Sequence, residues 1–360
     1  MRSFIKVALP LGISIGLCWA LLRDVNINEM IDIVKTQCDF RYILLMLAVS
    51  LLPILFRAIR WGIQLSAAGI KVPLHILVYS IFGTYSINIL FPRLGEVWRS
   101  GYIAYRQHAP FSEVFGSMVA DRLSDTVVVI LVTLFTLLVA YEPLENFVRT
   151  YPAAYQAIAH VMSSPWLWGG LALFIGGFWC LLRYSHNSKV LKIKRFLTGL
   201  WDGFAAIFHM KHKAMWLLLT VLIWGCYYIQ LYIAFYAFPF TRELLAHNGP
   251  LVVLVCYVLT SIAMGIPSQG GIGPYQATML FGLRVFAPAA AVATVAGAAE
   301  FRTAGAAFGN LLIASQTAFV ILYGIVVFIL IAIDKHRNPD GASRIPAGSA
   351  ESKSLQEKLP

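Results

Sequence analysis

The sequence predicts an all-α fold: a polytopic bundle of membrane helices with about six full spans, two broken re-entrant hairpins, and two halves related as an inverted repeat. Three observations predict it. Of the 360 residues, 59% are hydrophobic and 12% charged, against about a quarter charged in soluble domains. Apolar runs recur at the length of about 20 residues that a bilayer-spanning helix needs. Two of those runs are broken by proline and glycine at matching places in the two halves. The net charge of +11 does not indicate a nucleic-acid partner, because the basic residues gather in the connections between apolar runs, where they orient a membrane protein.

The elements follow in order. The N-terminus, MRSFIKVALPLGISIGLCWALLRD, begins like a signal peptide but offers no small-residue cleavage site, so Phe4–Leu22 reads as a retained first span. Further uninterrupted runs are Tyr42–Gly62, Phe111–Tyr141, Trp166–Arg183, Ala214–Phe238 and Gly305–Ile333. The run Val72–Tyr105 is interrupted by Pro92 and Gly95, and the run Pro250–Glu300 by Pro267, Gly270, Gly271, Gly273 and Pro274. Irregular backbone is excluded from contact with lipid tails and survives only where protein or a water-filled cavity covers it. Both interrupted runs are therefore expected inside the bundle as re-entrant hairpins, with eight shorter spans as the alternative.

Lys and Arg set the orientation. The connection 183–213 carries Arg183, Lys189, Lys192, Lys194, Arg195, Lys211 and Lys213, whereas those near 24–40, 142–164 and 239–249 carry Lys35, Arg149 and Arg242. The former is expected on the cytoplasmic side, which places both termini there, in the cytoplasmic (inner) membrane. Within it, Ile193, Phe196, Leu197, Leu200, Phe204 and Ile207 recur at helical spacing, as in a helix lying at the lipid interface or packed on the base of the bundle. The polar residues 334–360 read as a disordered cytoplasmic tail. The membrane domain is 1–333, with half-repeats 1–145 and 160–333. Each half has two spans, a broken hairpin and a third span. Three crossings per half give the halves opposite orientation. FPRLGE (Phe91–Glu96) aligns with IPSQGG (Ile266–Gly271), setting Pro92 on Pro267 and Gly95 on Gly270.

The five cysteines are scattered and the histidines lack metal-ligand spacing, so no disulfide framework, metal or cofactor is expected. The chemistry-bearing residues lie at the breaks. NILFPRLGEVWR (Asn88–Arg99) packs Arg93, Glu96 and Arg99 around a Pro-x-x-Gly break. With Arg57 and Arg60 of FRAIRW, and Asp121, Arg122 and Asp125 of ADRLSD, arginines exceed carboxylates, and the surplus should attract an anion. Arg57 and Arg60 share a helix face and could instead snorkel to the interface. Asp121 and Asp125 share a face and could pair with Arg93 or Arg99, while Arg122 projects about a third of a turn away. Arg93 and Arg99 are the better anion ligands, because the planar guanidinium suits phosphate and stays charged in a low dielectric. PSQGGIGPYQ (Pro267–Gln276) adds backbone N–H groups at Gly270, Gly271 and Gly273, and neutral hydrogen-bonding side chains at Ser268, Gln269 and Gln276. Glu300 and Arg302 echo the acidic–basic pair of the first half.

FRAIRW, NILFPRLGEVWR, ADRLSD and GIPSQGGIGPYQ, in that order, resemble the flippase-like membrane region of lysylphosphatidylglycerol synthases and their stand-alone relatives, over roughly 1–333. The resemblance implies movement of a lipid or lipid-linked molecule between leaflets, with Arg93, Glu96, Arg99, Asp121, Arg122, Asp125 and the Gly270–Gly273 loop as cavity residues. Bifunctional members carry an aminoacyl-transferase domain after this region, and only the short tail follows here, so lipid lysylation is not expected. A lipid flippase is the leading reading, driven passively or by an ion gradient, since no nucleotide-binding signature is present. Glu96, Asp121 or Asp125 would be the proton carriers. The other readings are a transporter of a small soluble anion, an intramembrane enzyme acting on a lipid phosphate, and a scaffold for envelope synthesis. Substrate headgroup and oligomeric state are left open.

Overall fold

The computed structural model describes residues 27–150 and 210–337, apart from Pro267 and residues 289–292, with isolated positions between 165 and 205. The predicted spans Phe4–Leu22 and Trp166–Arg183, the basic connection up to His209 and the tail beyond Arg337 lie outside the described residues.

The described chain is all-α apart from short 3-10 turns. Its helices are α1 (Ile27–Gln37), α2 (Phe40–Val49), α3 (Leu51–Ala67), α4 (Leu74–Leu90), α5 (Leu94–Arg106), α6 (Phe111–Val139), α7 (Tyr141–Thr150), α8 (Lys213–Ala234), α9 (Pro239–Asn248), α10 (Pro250–Ala263), α11 (Pro274–Val285) and α12 (Val295–Arg337). Among the described residues, four stretches are long and apolar enough to cross a bilayer: Phe40–Ala67, Phe111–Val139, Lys213–Ala237 and Val295–Asp334. Each overlaps a predicted span. A fifth candidate is α9 with α10, bent by 111°.

That bend corrects one sequence expectation. Residues 239–249 were expected to be a plain connection, and they form α9 instead. Pro239 starts this helix at its first turn, and Gly249, at φ 61°, ends it ahead of Pro250, the first residue of α10. Arg242, Glu243 and His247 lower the hydropathy of α9 enough to hide it among loops.

The two predicted breaks are present. Between α4 and α5 the chain turns through Phe91, Pro92 and Arg93. Arg93 takes up the left-handed region at φ 65°, a costly conformation for a residue with a Cβ. The new helix start is capped from the old helix end, where Asn88 Oδ1 accepts the Gly95 N–H at 2.8 Å. Between α10 and α11 the chain leaves the helix after Ala263, passes a 3-10 turn at Gln269–Gly271, and restarts at Pro274. There Gln276 Oε1 accepts the Gly273 N–H at 2.6 Å.

Both hairpins close over a glycine. A Cβ on Gly95 would lie 2.2 Å from the Thr84 carbonyl oxygen of α4, and one on Gly282 of α11 would lie 2.8 Å from Cys256 Sγ of α10. The two breaks touch. Arg93 Nη2 donates to the Gly265 carbonyl at 2.5 Å and to that of Met264 at 3.4 Å. A Cβ on Gly270 would sit 3.7 Å from Ile89 Cγ1.

Two apolar cores result. One gathers Ile54, Trp61, Leu77, Ile81, Ile103 and Met118 from α3 to α6. The other gathers Met46, Phe235, Val253, Met279, Phe308 and neighbours, chiefly from α8 to α12. The long α12 spans both cores. Gly305 lets it approach Leu280 of α11, and Gly324 lets it approach Ser86 of α4. The apolar surface of α6 away from these cores is open, with Leu131, Phe135 and Leu138 more than half exposed. Lipid is the solvent such a face requires.

Candidate functional site

The first-half charges converge. The i,i+3 pair Arg57 and Arg60 on α3 faces the i,i+4 pair Asp121 and Asp125 on α6. Arg60 Nη2 lies 2.6 Å from Asp121 Oδ1 and 2.7 Å from Asp125 Oδ1. Arg57 pairs closely with Asp125 and stands 3.7 Å from Asp121. Arg99 of α5 reaches Asp121 at 3.4 Å. Arg122 donates to Asp121 at 3.3 Å and forms an ion pair with Asp125 at 3.7 Å. Four guanidiniums therefore surround two carboxylates.

The cluster is deeply placed. Arg60, Arg99 and Asp121 are 0% exposed. Arg99 lies 4.4 Å over the Trp61 ring, where a desolvated cation gains from the ring quadrupole. Arg60 also donates to Thr220 Oγ1 at 3.2 Å. Arg57 and Arg60 thus do not snorkel to an interface, because carboxylates on the facing helix hold them inside. Arg122 does not point away as its helical position suggested. Its long side chain folds back onto its own neighbours, Asp121 and Asp125. The pairing of Asp121 with Arg99 is present. Arg93 has no part in the cluster and spends its guanidinium on the carbonyls at the end of α10.

A cavity of about 380 Å³ opens beside this cluster. Among the residues singled out in the sequence, Arg57, Asn88, Arg93, Glu96 and Arg122 line it from the first half, and Ser268, Gly270 and Gly271 from the second. Glu96 is the carboxylate of this lining, and its hydrogen bond is from Asn88 Nδ2 at 3.1 Å. Arg60, Arg99, Asp121 and Asp125 stand behind the wall and support Arg57 and Arg122. Gln269, Gly273 and Gln276 shape the second break without lining the cavity, Gln276 also donating to Asn310 Oδ1 of α12 at 3.2 Å. Glu300 is exposed and Arg302 half-buried on α12, and neither lines the cavity.

Much of the wall is uncharged and lies outside the motifs at the two breaks. Trp224, Tyr227 and Gln230 of α8 line it, as do Tyr85, Tyr257 and Gln316. A signal was available, since Trp224, Tyr227 and Gln230 follow one another at three-residue spacing within an otherwise apolar span. Polar side chains sharing one face of a membrane helix point into the protein or a cavity. Tyr85 and Tyr227 join their hydroxyls at 3.2 Å across the cavity wall.

Charge buried in an apolar bundle and bordering a cavity is the arrangement of a multi-pass membrane protein that handles a polar solute or headgroup. The chain belongs to the family described as the lysylphosphatidylglycerol synthase TM region, whose model matches residues 7–309. The match is to a transmembrane region, in keeping with a transport-related role. No curated protein and no solved structure matches the chain.

Proposed function

We propose that this protein is a lipid flippase. It would move an anionic phospholipid or lipid-linked molecule between leaflets, holding the headgroup in the arginine-bordered cavity between the two helix breaks. The carrying observation is the excess of guanidinium over carboxylate at that cavity. Arg57, Arg93 and Arg122 line it with Glu96 as the one acid of the lining, and the two aspartates behind the wall face four arginines. An anionic headgroup would balance that excess, and guanidinium forks suit phosphate.

The finer architecture belongs to the same proposal. Six spans, two re-entrant hairpins and two inverted half-repeats, 1–145 and 160–333, would put the site where transporters of this build carry theirs. Three observations support it: the two breaks touch, each hairpin closes on a glycine, and each break is capped by a side-chain amide. Both termini would face the cytoplasm of the inner membrane, and the substrate would enter from lipid. Of Glu96, Asp121 and Asp125, Glu96 lines the cavity and the two aspartates do not, so Glu96 is the candidate should an ion gradient drive transfer.

The test is reconstitution in liposomes carrying fluorescent lipids in both leaflets, followed by a membrane-impermeant quencher. Quenching beyond half, faster for anionic than for zwitterionic headgroups and lost in Arg93→Ala, is expected. Transfer that is unchanged in that variant would sink the site. Quenching that stops at half for every lipid, with uptake of a soluble anion instead, would sink the lipid reading.

A further inference from the structure

The first core holds a second set of polar side chains, behind the cavity wall. α3 and α6 run antiparallel, since Arg57 meets Asp125 and Arg60 meets Asp121. The same register sets Gln64, one turn beyond Arg60, against Ser117, one turn before Asp121. Gln64 is 1% exposed and Ser117 is 0% exposed, yet they do not bond to each other. The Gln64 amide nitrogen and oxygen and the Ser117 hydroxyl are all buried without a hydrogen bond among the described residues. Arg99 of α5 stands beside them, 4.4 Å over the Trp61 ring and 3.4 Å from Asp121. Its Nε and Nη1 and the Trp61 indole N–H also lack a partner there. Trp61, Gln64, Arg99 and Ser117 do not line the cavity, so a headgroup held in it does not reach them.

Buried polar groups are normally satisfied, and the chemistry of these four selects what satisfies them. The indole and the guanidinium only donate, the amide adds two N–H donors and the hydroxyl one more. The set is a shell of donors with a guanidinium in it. The local charge has the same sign. Four guanidiniums surround Asp121 and Asp125, an excess of positive charge. Arg57 and Arg122 line the cavity and can meet a headgroup. Arg60 is held by the two aspartates at 2.6 and 2.7 Å. Arg99 has only the longer contact with Asp121, a carboxylate that Arg60 already holds. A water molecule would satisfy the open hydrogen bonds and leave that charge uncompensated. A small anion does both, and leaving a buried charge without compensation is costly. A site closed on all sides by the core takes a monatomic ion in preference to an oxyanion.

We propose that a chloride ion is bound behind the cavity wall, held by Arg99 and by the N–H and O–H groups of Trp61, Gln64 and Ser117. It balances Arg99, ties α3, α5 and α6 together, and leaves Arg57 and Arg122 for the headgroup. The site does not depend on what the cavity carries, so its failure would leave the lipid-transfer reading untouched.

The test follows thermal unfolding of the purified full-length chain in a non-ionic detergent, in sodium chloride and in sodium gluconate of equal ionic strength. The midpoint should be about 5 °C higher in about 0.1 M chloride, and bromide should act as chloride does. In Ser117→Ala and in Gln64→Leu the difference should fall to about 1 °C. In Arg93→Ala, which removes a cavity arginine, it should persist. Equilibrium dialysis against radiolabelled chloride should leave a single ion on each chain, lost in the two core variants. Equal midpoints in the two salts, or no retained chloride, would overturn the proposal, and water would then fill the site. A difference that persists in both core variants would put the anion elsewhere, and one lost in Arg93→Ala would put it in the cavity. Either result overturns the site. If Gln64→Leu does not fold, Ser117→Ala, which removes one oxygen atom, decides the matter.

Discussion

Asp121 has no exposed surface and contacts Arg57, Arg60, Arg99 and Arg122. Removing its charge leaves guanidiniums buried without compensation, which costs about 3–5 kcal/mol. Asp121→Asn should therefore lower the thermal unfolding midpoint in detergent steeply, whereas Glu96→Gln should hardly move it, because Glu96 meets only a neutral amide. Comparable midpoints for the two variants would contradict the cluster geometry. Arg93 offers a second contrast. It is left-handed at φ 65°, so glycine at this position should be more stable than alanine by about 1 kcal/mol. Both Arg93→Gly and Arg93→Ala should lose lipid transfer. Recovery of transfer in the glycine variant would show that backbone relief, and not the guanidinium, matters there. At this scale the sequence was legible in charge count and in the Asp121–Arg99 pair, but not in the pairing of α3 with α6. Helical spacing tells which residues share a face, as Arg57 with Arg60 and Asp121 with Asp125. It does not tell that these two faces meet, because that depends on how α3 crosses α6.

The first hairpin shows how an element encodes its own geometry. Pro92 stops α4, Asn88 caps α5, and Gly95 allows the helices to approach until backbone meets backbone at Thr84. A methyl group at Gly95 would stand 2.2 Å from a carbonyl oxygen, and a helix backbone cannot swing aside as a side chain can. Gly95→Ala should cost about 1–3 kcal/mol in stability and slow transfer, since α5 carries Glu96 into the cavity. Gly225→Ala is the matched control, for a Cβ there would meet nothing within 4 Å. Equal loss in both would mean that the close approach of α4 and α5 is not what the glycine provides. These breaks were readable because proline and glycine mark them locally. The α9–α10 bend was not, although Gly249 and Pro250 spell a helix end and a helix start. With Arg242, Glu243 and His247 just before it, the stretch has the composition of a loop, and its helicity comes from packing, with Leu244 and Leu245 buried in the second core.

The two cores are joined along α12, whose 43 residues would extend about 64 Å at 1.5 Å per residue, about twice the hydrocarbon thickness. Its first half packs on α11 through Gly305. Its second half packs on the first hairpin through Gly324, the Phe82–Tyr323 and Trp98–Phe328 ring contacts, and the Arg106–Asp334 ion pair. The hydropathy of this span was plain in the sequence, but its role as a bridge was not, because that rests on contacts with residues more than two hundred positions away. If transfer proceeds by the halves rocking about a fixed site, Arg106 and Asp334 sit on opposite sides of the moving joint and must separate in part of the cycle. Weakening the pair then shifts the balance of states. Asp334→Asn should lower stability by about 1–3 kcal/mol, because Arg106, 5% exposed, loses a charged partner. It should also change the initial rate of lipid transfer. Arg106→Gln should do the same, and the double variant should lose less than the sum of the two, as coupled sites do. Arg149→Gln, which breaks an exposed pair within α7, should leave both readouts where they are. If the Asp334 and Arg106 variants unfold more easily but transfer lipid at the original rate, the joint stays closed throughout the cycle, and the movement that exposes the cavity must occur elsewhere, where the two breaks touch.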